Sequence, residues 1–215
     1  LFKDYLNVVY DENDATLNTI VSDVNNIIYD IAPAPPGNYS KITINLYIRS
    51  PDEDSYLDGT TLGYADTYRN EIVLNKLLEN NTNNSLIYKN GGTINRSLTV
   101  VHLHEMLHIL GLVNVEVDDN LIDYTDSSRL KYIGTKGVEK YKELLNANIG
   151  SIDYTSNEID AIDFLPIEDN GGAGTANVHF EEGYTSDAFS QYETSVSPVL
   201  ENEIMTGWLD SNNFI

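Results

Sequence analysis

The chain has 215 residues, with 34 acidic and 12 basic side chains, a formal net charge of −22 and no cysteine. This balance excludes nucleic acid and anionic membrane surfaces as expected partners, because phosphate contacts require the Lys and Arg that are scarce here. The lack of cysteine excludes disulfides, thiolate metal sites and cysteine nucleophiles.

The first half of the chain predicts two helices and several strands. Apolar residues three and four apart predict an amphipathic helix over Ala15–Ile31. Prolines end it, and the alternation of apolar with polar residues then predicts a strand over residues 41–49. Two short strands are predicted over 61–66 and Glu71–Asn75. A long, largely apolar helix is predicted over 97–110, as expected for a buried helix.

The pattern changes after Gly111, which divides the chain into residues 1–111 and 112–215. Gly111 is expected to end the long helix, because glycine accepts the positive φ of a helix terminus. Apolar spacing predicts a helix over Thr135–Ala147 and a helical turn within 157–164. The glycine-rich run that follows lacks the Lys-Ser/Thr ending of a phosphate loop. The sequence therefore predicts an α+β fold.

The long helix carries the motif His104-Glu105-x-x-His108. Residues four apart lie about 40° apart in helical projection, so His104 and His108 face one side and can share a metal ion. Glu105 lies about 100° from His104. Its carboxylate is then placed to act as general base on a water bound to the metal. The pattern favours metal-assisted hydrolysis.

The chain contains only four histidines, which limits the choice of a third metal ligand. His102 lies about 160° from His104 in projection. We therefore expect it to be a core histidine with ordinary hydrogen-bond partners. His179 is the remaining histidine. The alternative third ligand is a carboxylate downstream of the helix: Glu116, Asp118 or Asp119.

The motif and the residues after it resemble the metzincin zinc peptidases. In that family the third histidine normally follows three residues after the glycine, a position that Asn114 occupies here. The long insertion between Gly111 and His179 is similar to the leishmanolysin-like branch. Residues 166–181 resemble that branch's glycine-rich approach to the third ligand, with Phe180 in place of its usual tryptophan. Residues 201–207 resemble the segment that carries its Met-turn methionine.

This resemblance implies a metzincin-type zincin fold. Its N-terminal subdomain has a twisted mixed sheet and two long helices, its C-terminal subdomain has mostly loops and short helices, and an active-site cleft lies between them. The resemblance also implies one catalytic zinc ion bound by His104, His108 and His179, with Met205 in a tight turn beneath the metal. The implied activity is that of a zinc metalloendopeptidase, in which Glu105 activates a zinc-bound water for peptide-bond hydrolysis.

A peptide or protein substrate is expected to pair with an exposed strand edge. Gly63, Tyr64 and Ala65 are the candidate edge residues. Trp208, the only tryptophan, is a candidate wall of the substrate pocket. Calcium is a second candidate ion for so acidic a chain, although no segment has the EF-hand spacing.

The chain is expected to be a monomer without a membrane-spanning segment, since its longest apolar stretch is interrupted by histidines and a glutamate. It begins at Leu1, which fits a processed secreted or cell-surface protein whose targeting and pro-segments are missing. Two alternatives stay open. One is a zinc-stabilised binding or adhesion module without turnover, and the other is a zincin hydrolase with a carboxylate as third ligand.

Overall fold

A computed structural model describes residues 6–31, 41–88, 92–112, 120–126, 130–147, 155–168, 174–180, 200, 203–207 and 212–214. The described chain combines helices with sheets, which confirms the predicted α+β class at this level. It divides into two compact units. The first consists of residues 1–110 with 210–215, and the second of residues 111–209.

The first unit contains a four-stranded mixed sheet in the order β1-β2-β4-β3. Strands β1 (Leu6–Val9), β2 (Ile42–Arg49) and β4 (Glu71–Asn75) are parallel, and β3 (Gly63–Asp66) pairs antiparallel with β4. The three strands predicted in this region are confirmed. Because β3 is the last strand, one of its sides is an edge of the sheet.

Helix α1 (Ala15–Ile31) buries its apolar face, as its residue spacing predicts. Asp14 caps its start, because the Asp14 carboxylate accepts hydrogen bonds from the N–H groups of Thr16 and Leu17 at 2.8 and 3.1 Å. The buried positions along the helix are Leu17, Ile20, Val21, Val24, Ile27 and Ile28.

Helix α2 (Ser97–Ile109) is almost entirely buried, which confirms the second long helix and its expected environment. It contacts α1, β3, β4 and β5 (Ser85–Tyr88). Its apolar and its polar side chains are therefore both removed from solvent. Gly111 follows the helix with a φ of +90°, as expected of a glycine at this position.

A second sheet in the first unit consists of three short strands. β5 pairs antiparallel with β6 (Gly92–Ile94) and parallel with β10 (Asn212–Phe214). None of these strands is predicted from the sequence, and β6 and β10, with three residues each, have too few positions to show alternation. The pairing of β10 also depends on residues far away in the chain.

The second unit contains two helices and a small antiparallel sheet. Helix α3 (Thr135–Ala147) has its predicted bounds, and α4 (Ser156–Ala161) provides the predicted helical turn. The sheet consists of β7 (Ile122–Asp123), β8 (Lys131–Tyr132) and β9 (Leu165–Pro166). Among the described helices of the chain, none combines the length and hydrophobicity that a membrane span requires.

Gly63 allows β3 to approach α2 closely. A Cβ atom on Gly63 would lie 2.7 Å from Val101 Cγ1 and 3.0 Å from Val73 O. We expect Gly63→Ala to lower the free energy of unfolding by about 1–3 kcal/mol, because the extra methyl group overpacks this contact. Gly59→Ala is the matched control, since a Cβ there would have no atom within 4 Å. Urea unfolding measures both variants, and wild-type stability of Gly63→Ala would contradict the close approach.

Candidate metal centre

His104 and His108 lie one helical turn apart on α2 with their rings close together. Their Nε2 atoms are 3.2 Å apart, and their ring planes meet at 81°. The two residues are only 8% and 9% exposed. Two nitrogens bound tetrahedrally to zinc at 2.0–2.1 Å would be about 3.3 Å apart. This pair therefore has the spacing of two ligands of one ion.

His179, in the second unit, has one ring nitrogen committed to the backbone. Its Nδ1 lies 2.9 Å from the Thr175 carbonyl oxygen. Because a carbonyl only accepts, Nδ1 is the donor, and Nε2 of the neutral ring carries a lone pair suited to a metal. Burial lowers the pKa of His179 against the smaller, opposite effect of the Thr175 hydrogen bond, so the neutral ring is favoured.

The backbone around His179 is held by two other segments of the second unit. The Glu168 N–H donates to the His179 carbonyl at 3.0 Å, and the Asn177 N–H donates to the Glu168 carbonyl at 2.8 Å. The Phe180 N–H donates to the Met205 carbonyl at 2.9 Å. The backbone from which the His179 imidazole extends is thus held by hydrogen bonds to both neighbouring segments.

Met205 is fully buried and lies in a turn between Glu203 and Thr206. The Thr206 N–H and hydroxyl donate to the Glu203 carbonyl at 3.3 and 3.0 Å. The Met205 N–H donates to the Glu203 carboxylate at 2.6 Å. The turn is therefore held by both the backbone and the side chain of Glu203.

Three histidines offer side chains that could hold a metal ion: His104 and His108 in the first unit, and His179 in the second. Imidazole nitrogens suit Zn, Cu, Fe and Ni ions. The donor types of these residues therefore fit a transition metal.

Glu105 lies on the same helix and is 7% exposed. Burial raises the pKa of Glu105 to about 8, against the smaller, lowering effect of the Ala65 backbone N–H. A buried carboxylate with raised proton affinity beside two metal-binding side chains has the character of a general base.

Three of the other candidate residues, those proposed as the strand edge, lie in the part of the chain that the structure describes. Gly63, Tyr64 and Ala65 form most of β3, at the edge of the four-stranded sheet. The remaining candidates lie outside the described residues: Trp208, Asn114, Glu116, Asp118 and Asp119.

His102 is fully buried, as its position on the packed side of α2 predicts, but the expectation of ordinary hydrogen-bond partners is wrong. Neither of its ring nitrogens has a partner among the described residues. Burial lowers the pKa of His102 to about 3, so the ring is neutral. By contrast, the Ser97 hydroxyl on the same helix donates to Asn84 Oδ1 at 2.9 Å.

Two groups that hold the candidate side chains escape sequence reasoning: the Thr175 carbonyl and the Glu203 carboxylate. The first is a backbone group, which leaves no mark in a pattern of side chains. Glu203 has a faint signal, since an acidic residue two positions before a turn residue is a common hydrogen-bond acceptor.

Replacing His102 with leucine tests the cost of its unpartnered nitrogens. We expect His102→Leu to raise the free energy of unfolding by about 1–3 kcal/mol, because two desolvated polar atoms are removed. Met106→Leu is the control, as a similar-volume change at a buried position of the same helix. Thermal and urea unfolding measure the difference. A loss of stability in His102→Leu comparable with a core truncation would contradict the expectation.

Glu203 makes stability depend on pH. Burial raises its pKa to about 7, although the N–H groups of Met205 and Ile204 lower it. A raised folded-state pKa means that the stabilising contribution is present below about pH 4.5, the unfolded value, and is lost as the pH rises through about 7. We expect Glu203→Gln, which keeps an acceptor oxygen, to lack this loss. Unfolding curves from pH 4 to 8 measure it, and parallel profiles of wild type and variant would contradict it.

In comparisons with known proteins, no protein-family model, curated protein or solved structure matches the chain. The role of the three histidines and Glu105 is therefore inferred from the residues of this chain.

Proposed function

We propose that the chain is a zinc-dependent endopeptidase, the activity that its resemblance to leishmanolysin-like metzincins implies. One observation carries the proposal. The Nε2 atoms of His104 and His108 lie 3.2 Å apart, the spacing of two ligands of one ion, and the same helix carries the buried carboxylate of Glu105. With His179 as the proposed third ligand, three ligands and one adjacent base make up the composition of a catalytic zinc site.

The set of residues at the proposed site favours catalysis over a purely structural role for the metal. Structural zinc sites usually have four protein ligands and no open position. The proposed donor set has three histidines. Glu105 is buried, and because burial of an ionisable group costs free energy of folding, its presence there favours a functional role. A binding or adhesion module that needs zinc only for stability has no requirement for this carboxylate.

His104, His108 and His179 would hold the ion. Zinc in such a site supplies Lewis acidity, which polarises the scissile carbonyl and lowers the pKa of water to about 7. Glu105 accepts a proton from the attacking water on one carboxylate oxygen and delivers it to the leaving amine nitrogen.

The β3 edge supports an extended peptide as substrate. β3 is the terminal strand of its sheet, so its outward backbone groups can pair with an added strand. β3 also packs on α2, the helix that carries Glu105. Secretion, a monomeric state and bound calcium stay predictions from the sequence.

Metal analysis and peptide cleavage test the proposal together. We expect wild-type protein to bind one zinc ion and to cleave a mixed peptide library in a way that chelation abolishes and zinc restores. Glu105→Ala should keep its zinc but lose about 10²–10⁴ in cleavage rate, because only proton transfer is removed. His179→Ala should lose stoichiometric zinc together with activity.

His102→Leu is the matched control, since it replaces a histidine of α2 that is not in the ligand group and should leave zinc binding and cleavage unchanged. Stoichiometric zinc and full activity in His179→Ala would show that another group, such as a carboxylate, is the third ligand. Cleavage by Glu105→Ala at the wild-type rate would contradict the base assignment. Zinc binding without cleavage by wild type would identify a binding module.

A further inference from the structure

The turn at residues 203–207 contacts the chain on the N-terminal side of His179. Gly207 lies so close to Thr175 that a Cβ atom on the glycine would overlap Thr175 Cγ2. The methyl group has little room to swing away, because a β-branched side chain is restricted at χ1. The Thr175 carbonyl is also the group that accepts from Nδ1 of His179 at 2.9 Å. Gly207 therefore packs against the residue that orients the imidazole.

The same turn contacts the chain on the C-terminal side of His179. The Phe180 N–H donates to the Met205 carbonyl at 2.9 Å, and Phe180 forms a parallel bridge with Thr206. His179 thus lies between two residues, Thr175 and Phe180, that the turn contacts. A displacement of the turn would move both of these residues, and the imidazole ring with them.

The side chain of Glu203 holds this turn in place. Its carboxyl group accepts from the Met205 N–H at 2.6 Å, and a carboxyl group can accept such a bond whether or not it is protonated. Met205 is fully buried, so without this carboxyl group its N–H would lose a partner that water cannot easily replace. The Glu203 carboxyl group therefore fixes the backbone of Met205, whose carbonyl holds Phe180.

We propose that Glu203 and Gly207 are positioning residues for His179. Glu203 fixes the turn, and Gly207 lets the turn pack against Thr175, so that the ring keeps the tautomer and orientation in which Nε2 can bind an ion. Both residues act through Thr175 and Phe180, and neither is in the ligand group. The consequence for metal binding rests on the proposed function, in which His179 is the third ligand. The consequences for the ring and for the Phe180 amide do not.

Nuclear magnetic resonance of the metal-free protein tests the structural part without any activity assay. Nitrogen chemical shifts of the His179 ring report which nitrogen carries the proton, and wild type should have it on Nδ1. Glu203→Ala should give a mixture of both tautomers and speed hydrogen exchange of the Phe180 amide by about tenfold or more. Glu203→Gln keeps an acceptor oxygen and should stay close to wild type.

Amides in the middle of α3 report global unfolding of the second unit, and their exchange should not change by the same factor. A wild-type tautomer and wild-type exchange in Glu203→Ala would overturn the proposal, as would equal acceleration at Phe180 and in α3.

Gly207→Ala tests the second contact, and Gly174→Ala is its matched control. A Cβ on Gly174 would have no atom within 4 Å, so that variant should keep the wild-type tautomer. Gly207→Ala should displace Thr175 and mix the tautomers of His179. Adding Thr175→Ser, which removes Cγ2, should restore the wild-type tautomer, because Thr175 Cβ lies 3.5 Å from the added Cβ, an ordinary contact distance. An unperturbed ring in Gly207→Ala, or a perturbation that Thr175→Ser does not relieve, would overturn the role of Gly207.

Zinc affinity tests the consequence for the metal site. Glu203→Ala and Gly207→Ala should each raise the zinc Kd by about 10–100-fold in competition with a chelator, the effect expected of residues that orient a ligand. In a His179→Ala background neither substitution should have a further effect. Equal effects in both backgrounds would overturn the positioning role. If His179→Ala binds zinc as tightly as wild type, the proposed third ligand is wrong, and the tautomer and exchange results then decide on Glu203 and Gly207.

Discussion

The burial of helix α2 is the constraint on which the rest of the first unit depends. The helix contacts α1, β3, β4 and β5, so each polar group on it is removed from water. A desolvated polar group without a partner costs about 1–3 kcal/mol, which makes the surroundings of α2 a matter of hydrogen bonding as well as packing. Thr99 meets this demand through Asp23 Oδ2 at 3.2 Å. His102 does not meet it within the described residues.

The same burial gives the candidate site its chemistry. Removal from solvent raises the proton affinity of Glu105, and it places His104 and His108 in surroundings where water competes little for their nitrogens. A fold that kept α2 at the surface would have the same motif with an ordinary, solvated glutamate. The packing of the helix and the reactivity of its side chains therefore have one cause.

The second unit prepares His179 by different means. Its tautomer is set by the Thr175 carbonyl, and its backbone is set by pairing with Glu168 and, through Phe180, with Met205. These contacts lie within the second unit, so they fix the ring without help from a bound metal ion. A ligand held in one tautomer and one orientation loses less freedom on binding an ion. The buried turn at Met205 contributes to this support, because the Met205 carbonyl accepts the hydrogen bond from the Phe180 N–H. This contribution does not require the methionine side chain to bind the ion.

The sequence by itself determined the helices over Ala15–Ile31 and Thr135–Ala147, three of the four strands of the main sheet and the residues that can bind a metal, because periodicity and residue chemistry are local properties. It did not predict β1. The sequence left two possibilities for the third ligand, His179 or a carboxylate, because residue types alone do not give the distances between side chains. Only the tertiary structure decided that the Nε2 atoms of His104 and His108 lie 3.2 Å apart and that the Thr175 carbonyl accepts from Nδ1 of His179. It alone also decided that His102 has no partner among the described residues. Contacts between residues distant in the chain, many of them made by backbone groups, leave no local pattern to read.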